Sequence, residues 1–273
     1  IDLGAVTIFF YSFRQREELY RIVDAYTGHR MNNTYVRIGG VYADVDDKVA
    51  AMIEKFLADF PAALDEIDAM LTRNRIWYDR NRGIGIISKE DAVAMSLTGP
   101  TLRGSGVNWD LRRAQPYSGY EEYDFDVPVG SVGDCYDRYL VRMTEMREAA
   151  KIAKQALDKL KSVKGDVLIE DRRYVLPPKD LVHSSMEELI FQFKVVTDMR
   201  LPRGEAYHGI ESSKGELGFF VASDGSSKPL RCHIRAPGLM NIQALPMLAK
   251  GRLFSDMVSL IGSMDFVMGE VDR

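Results

Sequence analysis

An α+β fold, a helical bundle with a small antiparallel sheet near the C-terminal end, is predicted by three features of this sequence. Apolar residues recur at spacings of three and four over residues 46–71 and 133–161, which lays a stripe along one side of a helix. Residues 203–236 change to a strand pattern, with a turn at Asp224-Gly225 and alternation through Leu230-Arg231-Cys232-His233-Ile234-Arg235. The 273 residues are 46% hydrophobic and 28% charged, a balance that supports a substantial core and argues against disorder. We expect one domain over 1–273, with a helical core over 1–200 and the sheet and a buried C-terminal tail over 201–273.

The elements follow in order. A first helix is expected over about 3–26, with Ala5, Phe9 and Phe13 on its apolar side and Gly28 as its stop. Asn33 to Val41 is short and β-prone, with a Gly39-Gly40 turn. The second helix, 46–71, carries Val49, Met52, Ile53, Phe56, Leu57, Phe60, Leu64, Ile67 and Leu71, and Pro61 should kink it or split it in two. A short helix is predicted over 88–96, capped by Ser88. The third long helix, 133–161, should bury Tyr136, Leu140, Met143, Ala150, Ala153, Leu157 and Leu160. Pro177-Pro178 opens a helix ending near Thr197, with Leu181, Leu189, Ile190 and Phe193 as core candidates. A last helix falls near 254–262.

Residues 97–132 are glycine-, arginine- and aromatic-rich with little regular pattern. A loop of that length usually carries function or an interface, so it is expected to lie ordered against another subunit.

Several chemistries are excluded or weakly supported. With 36 basic and 40 acidic residues the net charge is -4, which gives no overall basic footprint for nucleic acid. There is no phosphate loop or Gly-x-Gly-x-x-Gly after a strand. His29, His183, His208 and His233 are scattered. Cys135 and Cys232 are too few for a disulfide framework or a four-thiolate site, so we expect them to bind no metal, form no disulfide and act as small hydrophobes in a reducing compartment. No run of eighteen apolar residues marks a membrane span. The opening Ile1-Asp2-Leu3-Gly4-Ala5 lacks an initiator methionine and reads as the interior of a longer sequence.

Two clusters remain. Asp2 precedes an apolar helix, where it either caps the helix or orients a buried proton donor. The tail, Asp265-Phe266-Val267-Met268-Gly269-Glu270-Val271-Asp272-Arg273, mixes acids with apolar residues, so Phe266, Val267 and Met268 are expected to be tucked in.

An ordered set of motifs adds to this. Asp2-Leu3-Gly4-Ala5, Arg14-Gln15-Arg16-Glu17, Arg37-Ile38-Gly39-Gly40-Val41, Ser105-Gly106-Val107, Gln115-Pro116-Tyr117, Phe125-Asp126-Val127-Pro128, Gly215-Glu216-Leu217-Gly218 and Gly269-Glu270-Val271-Asp272-Arg273 occur in sequence. Together they resemble the quinone-site, 49-kilodalton (D-type) subunit of respiratory complex I, the NADH:quinone oxidoreductase, over essentially the whole chain. The resemblance implies a family sequence that starts further upstream, where the quinone-headgroup histidine and tyrosine would lie.

It also implies a fold similar to the nickel–iron hydrogenase large subunit without its metal ligands. The positions that match nickel-binding cysteines are Val267 and Glu270, and neither is a soft thiolate. An old metal cavity would then serve as a quinone cavity, with Asp265, Val267 and Glu270 beside it. Asp2 would be the catalytic-site acid, bonded to the headgroup histidine, holding its tautomer and stabilising its protonated form. By the same resemblance the chain binds no cofactor itself. A [4Fe-4S] cluster would sit in an adjacent small subunit, near Arg30 and Asn32, with NADH and FMN elsewhere in the complex. Many relatives carry histidine after the Arg-Met pair. Here Arg30-Met31 is followed by Asn32, which does not titrate near neutral pH. The implied partners are the small cluster-bearing subunit, other peripheral-arm subunits, the membrane-arm quinone-channel subunit and quinone. The implied location is peripheral, on the cytoplasmic face of the bacterial inner membrane or the matrix side of the mitochondrial one, within a proton-pumping enzyme and not active alone. A subunit of a related ferredoxin-linked or hydrogenase-like membrane complex and a non-catalytic scaffold chain are the alternatives.

Overall fold

The first helix, α1 (Val6–Thr27), ends where the sequence places its stop. Gly28 takes φ 75°, and its amide donates to Asp24 O at 2.9 Å. In the computed structural model, described here for Leu3 and residues 5–163 and 165–272, a two-stranded antiparallel ribbon follows, β1 (Val36–Arg37) and β2 (Gly40–Val41). It is shorter than the β-prone run and is held on its other side by residues 167–169, with Val41 N donating to Val167 O at 2.9 Å.

Next, α2 (Asp47–Leu71) starts at Asp46, whose carboxylate accepts from Val49 N at 2.7 Å. Pro61 lies inside this helix and does not split it. Proline forfeits one backbone bond, while Leu64, Ile67 and Leu71 on the following turns are buried. Leu64 and Ile67 cluster with Met143 there. That burial continues the helix past the defect. Asn74 caps α3 (Arg75–Asn81), and Ser88 Oγ accepts from Asp91 N at 3.0 Å to cap α4 (Lys89–Ala94).

Segment 97–132 departs from expectation. It contains α5 (Gly99–Gly104), all of it buried, α6 (Leu111–Ala114) and a 3-10 turn at Tyr120–Glu122. Leu97 and Leu102 belong to the main core with Ile87, Ala92, Cys135, Ala244, Leu248, Leu260 and Met264. Docking against another subunit is therefore not what orders residues 97–105, because this chain covers them itself. Their glycines look loop-like in sequence, but they serve close backbone approach.

Asp134 caps α7 (Cys135–Leu160), accepting from Asp137 N at 2.8 Å. Of its expected buried side only Met143 and Leu157 are buried, and Ala153 and Leu160 are exposed. The helix meets α5 and α12 near its start and α2 further along, so its buried side includes Arg138 and Ile152 as well. The single helix expected after Pro178 is two, α8 (Lys179–Ser184) and α9 (Met186–Thr197), parted at Ser185. Val182 and Val195 are buried there, whereas Leu181, Ile190 and Phe193 are exposed.

The sheet is antiparallel in the order β3 (Gly204–Ser212), β4 (Gly215–Ser223), β5 (Arg231–Arg235). Four helices close the chain: α10 (Pro237–Gln243), α11 (Leu245–Ala249), α12 (Asp256–Met264) and α13 (Met268–Asp272). Only α12 is expected from sequence. The α+β class holds. No helix among the described residues is long and apolar enough to cross a membrane.

Candidate functional site

The C-terminal tail is fixed at both ends. α12 stops at Asp265, which takes the left-handed conformation (φ 52°, ψ 41°) and donates its amide to Ile261 O at 3.3 Å. Aspartate tolerates this region better than most residues. The turn brings the Asp265 carboxylate 2.6 Å from Lys214 Nζ, in the β3–β4 turn, and 3.6 Å from Arg142 Nε on α7. On α13, Glu270 Oε2 accepts from the Gly238 amide of α10 at 2.9 Å. Phe266 packs against the main core. Between these anchors Val267 is 51% exposed, and Met268 is exposed too, so the tucked-in tail is met at Phe266 and not at those two. Three residues expected to share a cavity thus lie on one short stretch, two tied down and the third presenting an apolar side chain outward.

Asp2 falls outside the described residues. Its neighbour Leu3 lines a cleft with Trp77, Tyr139, Arg142 and Ser263. That cleft runs between the start of the chain and the arginine that faces Asp265.

Arg30 and Asn32 lie elsewhere. They follow α1, which is 22 residues long, and a helix rises about 1.5 Å per residue, so roughly 33 Å separates its two ends. Arg30 grips Glu17 through two bonds, at 2.6 and 3.0 Å, and its guanidinium lies 5.2 Å from the Tyr20 ring centroid. The hydrogen bond from Arg30 holds the Glu17 carboxyl below its usual range. Asn32 is exposed at φ 55°, and His29 is exposed beside it. The structure therefore does not bring this pair together with the tail.

Sequence reasoning missed the charged residues that fix the tail and the sheet. Arg103 is 2% exposed; it donates from Nε to Glu145 Oε1 at 2.7 Å and from Nη1 to Glu211 Oε1 at 2.8 Å. Asp110 lies 3.6 Å away and is itself gripped by Arg112 at 2.6 and 3.0 Å. Burial pushes the Glu145 carboxyl up, and the pull of Arg103 only partly offsets it. Burial acts the same way on Asp110, but there the Arg112 and Arg103 guanidiniums win and hold the carboxyl low. No local pattern marks Arg103 as buried, because Glu145 and Glu211 lie 42 and 108 residues away and the glycines around it look loop-like.

Among the described residues no group of three or more histidine, cysteine or acidic side chains is placed to hold a metal. Cys135 is buried and Cys232 exposed, and neither is in a disulfide.

A family model described as "Respiratory-chain NADH dehydrogenase, 49 Kd subunit" matches residues 2–273. The chain belongs to this family. It is 47% identical over 274 residues to the D-type subunit of the NADH-quinone oxidoreductase of Geotalea uraniireducens, covering 100% of this chain and 70% of that one. It is 49% identical over 275 residues to a D-type subunit of the same enzyme from Herpetosiphon aurantiacus, covering 100% and 65%. The corresponding D-type subunit of Geobacter metallireducens is 46% identical over 274 residues, covering 100% and 70%. The chain thus spans about two thirds of the length of these relatives. Each relative is named as a subunit, which places this 49-kilodalton family member in a multi-subunit oxidoreductase. Of the candidate residues in the tail, Asp265 and Glu270 are the ones whose side chains this chain itself holds.

Proposed function

We propose that this chain forms part of the quinone cavity of an NADH:quinone oxidoreductase, in which a partner-held iron–sulfur cluster reduces quinone and the reaction is coupled to proton pumping. The observation that carries this reading is the tail. Asp265 and Glu270 are pinned on either side of Val267, which is left half exposed on a fixed backbone. An apolar side chain held outward between two anchors suits the wall of a cavity completed by other chains.

Reduction of a quinone to a quinol takes two electrons and two protons. The electrons come from a [4Fe-4S] cluster in the adjacent small subunit, with NADH and FMN further upstream in the complex. This chain's residues position the substrate and supply charge. Asp265, held by Lys214 and Arg142, fixes the direction of the tail. Glu270 anchors α13 against α10. Asp2 stands behind a headgroup histidine and favours its protonated form. The cavity takes the place of the metal site in the nickel–iron hydrogenase large subunit, with Val267 and Glu270 at positions of former thiolates. The assembly sits peripherally, against a membrane-arm quinone-channel subunit, on the cytoplasmic face of the bacterial inner membrane or the matrix side of the mitochondrial one.

Two variants test this. Val267→Met adds bulk to an apolar wall and is expected to raise the apparent quinone KM several-fold with assembly intact. Asp2→Asn keeps size but loses charge, and is expected to lower turnover more than assembly, whereas a plain helix cap would tolerate asparagine. The measurement is quinone reductase activity per assembled complex. If both variants match the wild type in rate and quinone affinity, the assignment is withdrawn.

A further inference from the structure

Both anchors of the tail hang from one end of the sheet. Lys214, which holds Asp265 at 2.6 Å, stands in the β3–β4 turn, one residue before β4 begins at Gly215. Gly238, whose amide donates to Glu270, comes three residues after Arg235, the last of β5. Across the turn Ser212 is opposite Gly215, and Arg235 is opposite Gly218 on the other side of β4. The turn and the exit from β5 therefore lie at the same end of the sheet, so a contact that fixes this end fixes the tail at both anchors.

Thr98 supplies that contact. It is buried, and its hydroxyl oxygen accepts from the Glu216 amide of β4 at 3.0 Å and, in a longer bond of 3.4 Å, from Arg235 Nη1 of β5. The same guanidinium donates to Glu216 O at 2.7 Å and to Ser96 O at 2.9 Å. A Cβ on Gly215 would lie 2.5 Å from Thr98 Oγ1, so the strand comes this near only as glycine. Thr98 occupies the N-cap of α5, where a threonine oxygen ordinarily accepts from the first amides of its own helix. Here no side-chain bond caps α5. The oxygen is given to the sheet instead, from a helix that is itself entirely buried. β3 is tied to the same part of the chain. Arg103 of α5 donates to Glu211 Oε1 at 2.8 Å, and the Tyr117 hydroxyl accepts from the Glu211 amide at 2.9 Å.

We infer, on the quinone reading of the tail, that Thr98 is a positioning residue for the candidate site: it acts through the end of the sheet on Asp265 and Glu270, and so on Val267 between them. Thr98→Val keeps the branched shape and removes the acceptor, which leaves the Glu216 amide facing a methyl group. That amide regains a partner by moving off α5 toward water, and the movement carries Lys214 and Gly238 with it. Thr98→Ser keeps the oxygen and should hold the sheet end in place.

The experiment compares these two variants with the wild type in the assembled complex. Hydrogen–deuterium exchange is read at residues 265–272, with residues 60–71 of α2 as the reference, alongside apparent quinone KM and turnover per assembled complex. In Thr98→Val, exchange of the tail is expected to rise roughly fivefold, the factor that one hydrogen bond carries. The reference should stay unchanged, the KM should rise in the same proportion with turnover at saturating quinone retained, and Thr98→Ser should restore both. Exchange that rises equally in tail and reference is general destabilisation and overturns the inference, as does unchanged tail exchange. Lys214→Met, at the partly exposed turn, cuts one route without touching the buried hydroxyl and is expected to quicken tail exchange as well. Tail exchange at the wild-type level in that variant overturns the inference even where Thr98→Val fails to assemble. Val267→Met reads the quinone assignment by itself. A KM raised by Val267→Met and not by Thr98→Val sinks the positioning role alone. A KM raised by neither, with the tail loosened in Thr98→Val, sinks the quinone assignment and leaves the hold of Thr98 on the tail.

Discussion

Glu270 reaches across 32 residues to accept the backbone amide of Gly238 at 2.9 Å, and a Cβ on Gly238 would lie 2.5 Å from the same oxygen. Gly238 is in the first turn of α10, just after Pro237, where backbone amides have no partner within the helix. The tail carboxylate therefore caps a second helix from outside, with a sign that suits the helix dipole.

Gly238→Ala is expected to push the Glu270 carboxylate away and cost about 1 kcal/mol, the scale of one hydrogen bond. The carboxylate is the mobile end of a long side chain, so the backbone need not shift. Glu270→Gln should cost less, because the amide oxygen still accepts. Hydrogen–deuterium exchange of residues 265–272 in the assembled complex is the measurement. Faster exchange in the alanine variant than in the glutamine variant is expected, and unchanged exchange in both would show that the contact does not hold the tail.

The contact between Gly99 and Gly215 is less forgiving. Gly99 has φ 67°, and a Cβ there would lie 2.5 Å from the Gly215 Cα. Here the obstacle is backbone, which cannot swing aside. Gly99→Ala combines overpacking with a left-handed conformation and is expected to cost about 2–4 kcal/mol. The thermal midpoint and yield of the full-length subunit check it. A wild-type midpoint would mean that the β4 end moves freely relative to α5.

These two glycine contacts also explain what was legible in the sequence. α2 and α7 were readable because each buries an apolar stripe against another helix, and periodicity records that. The hairpin around Asp224-Gly225 was readable from turn chemistry and alternation. Residues 97–105 were not, since a buried backbone-on-backbone contact needs glycine, and glycine in sequence signals a loop. α10, α11 and α13 have five to seven residues, too short for a period to show, although Pro237 and Pro246 sit in first turns where proline starts a helix. Of the candidate site, Asp265, Val267 and Glu270 came from the ordered motifs. Lys214, Arg142 and Gly238, which hold them, come from distant parts of the chain, and no local pattern joins residues that far apart.

The proposed role near the cluster yields a test at Asn32. A proton taken up on reduction makes a potential pH-dependent, and asparagine offers no such proton. The cluster potential in this protein's complex is expected to vary less between pH 6 and 8 than in relatives with histidine at this position. A redox titration followed by electron paramagnetic resonance measures it. Equal slopes would assign the proton to another group, with exposed His29 three residues away as the first to replace.

The buried cluster around Arg103 supports the last prediction. Glu145, Glu211 and Asp110 surround Arg103 and Arg112, so three carboxylates meet two guanidiniums, and Arg142 adds a further pull on Glu145. Arg103→Met leaves the acids without their shared cation and is expected to cost about 3–5 kcal/mol, the loss typical of breaking one side of a buried pair. Glu145→Gln removes the carboxylate that burial pushes up, and its side-chain oxygen can still accept from Arg103. Burial raises the Glu145 carboxyl above its ordinary 4.5, against the opposing pull of Arg103. As pH rises past 4.5 the unfolded chain releases this proton before the folded one does. The wild type therefore loses stability relative to Glu145→Gln from that point until the folded carboxyl has also ionised, and the gap is constant above it. Asp110 works in the opposite sense. Burial would raise its carboxyl, the Arg112 and Arg103 guanidiniums hold it low, and the stability it contributes is lost only as pH falls through that lowered value. Thermal midpoints of wild type and Glu145→Gln between pH 4 and 8 separate the two groups. The expected outcome is a difference that grows in the variant's favour on the alkaline side and then levels off. A difference that shrinks with rising pH would mean that Glu145 is stabilised as a carboxylate by Arg103.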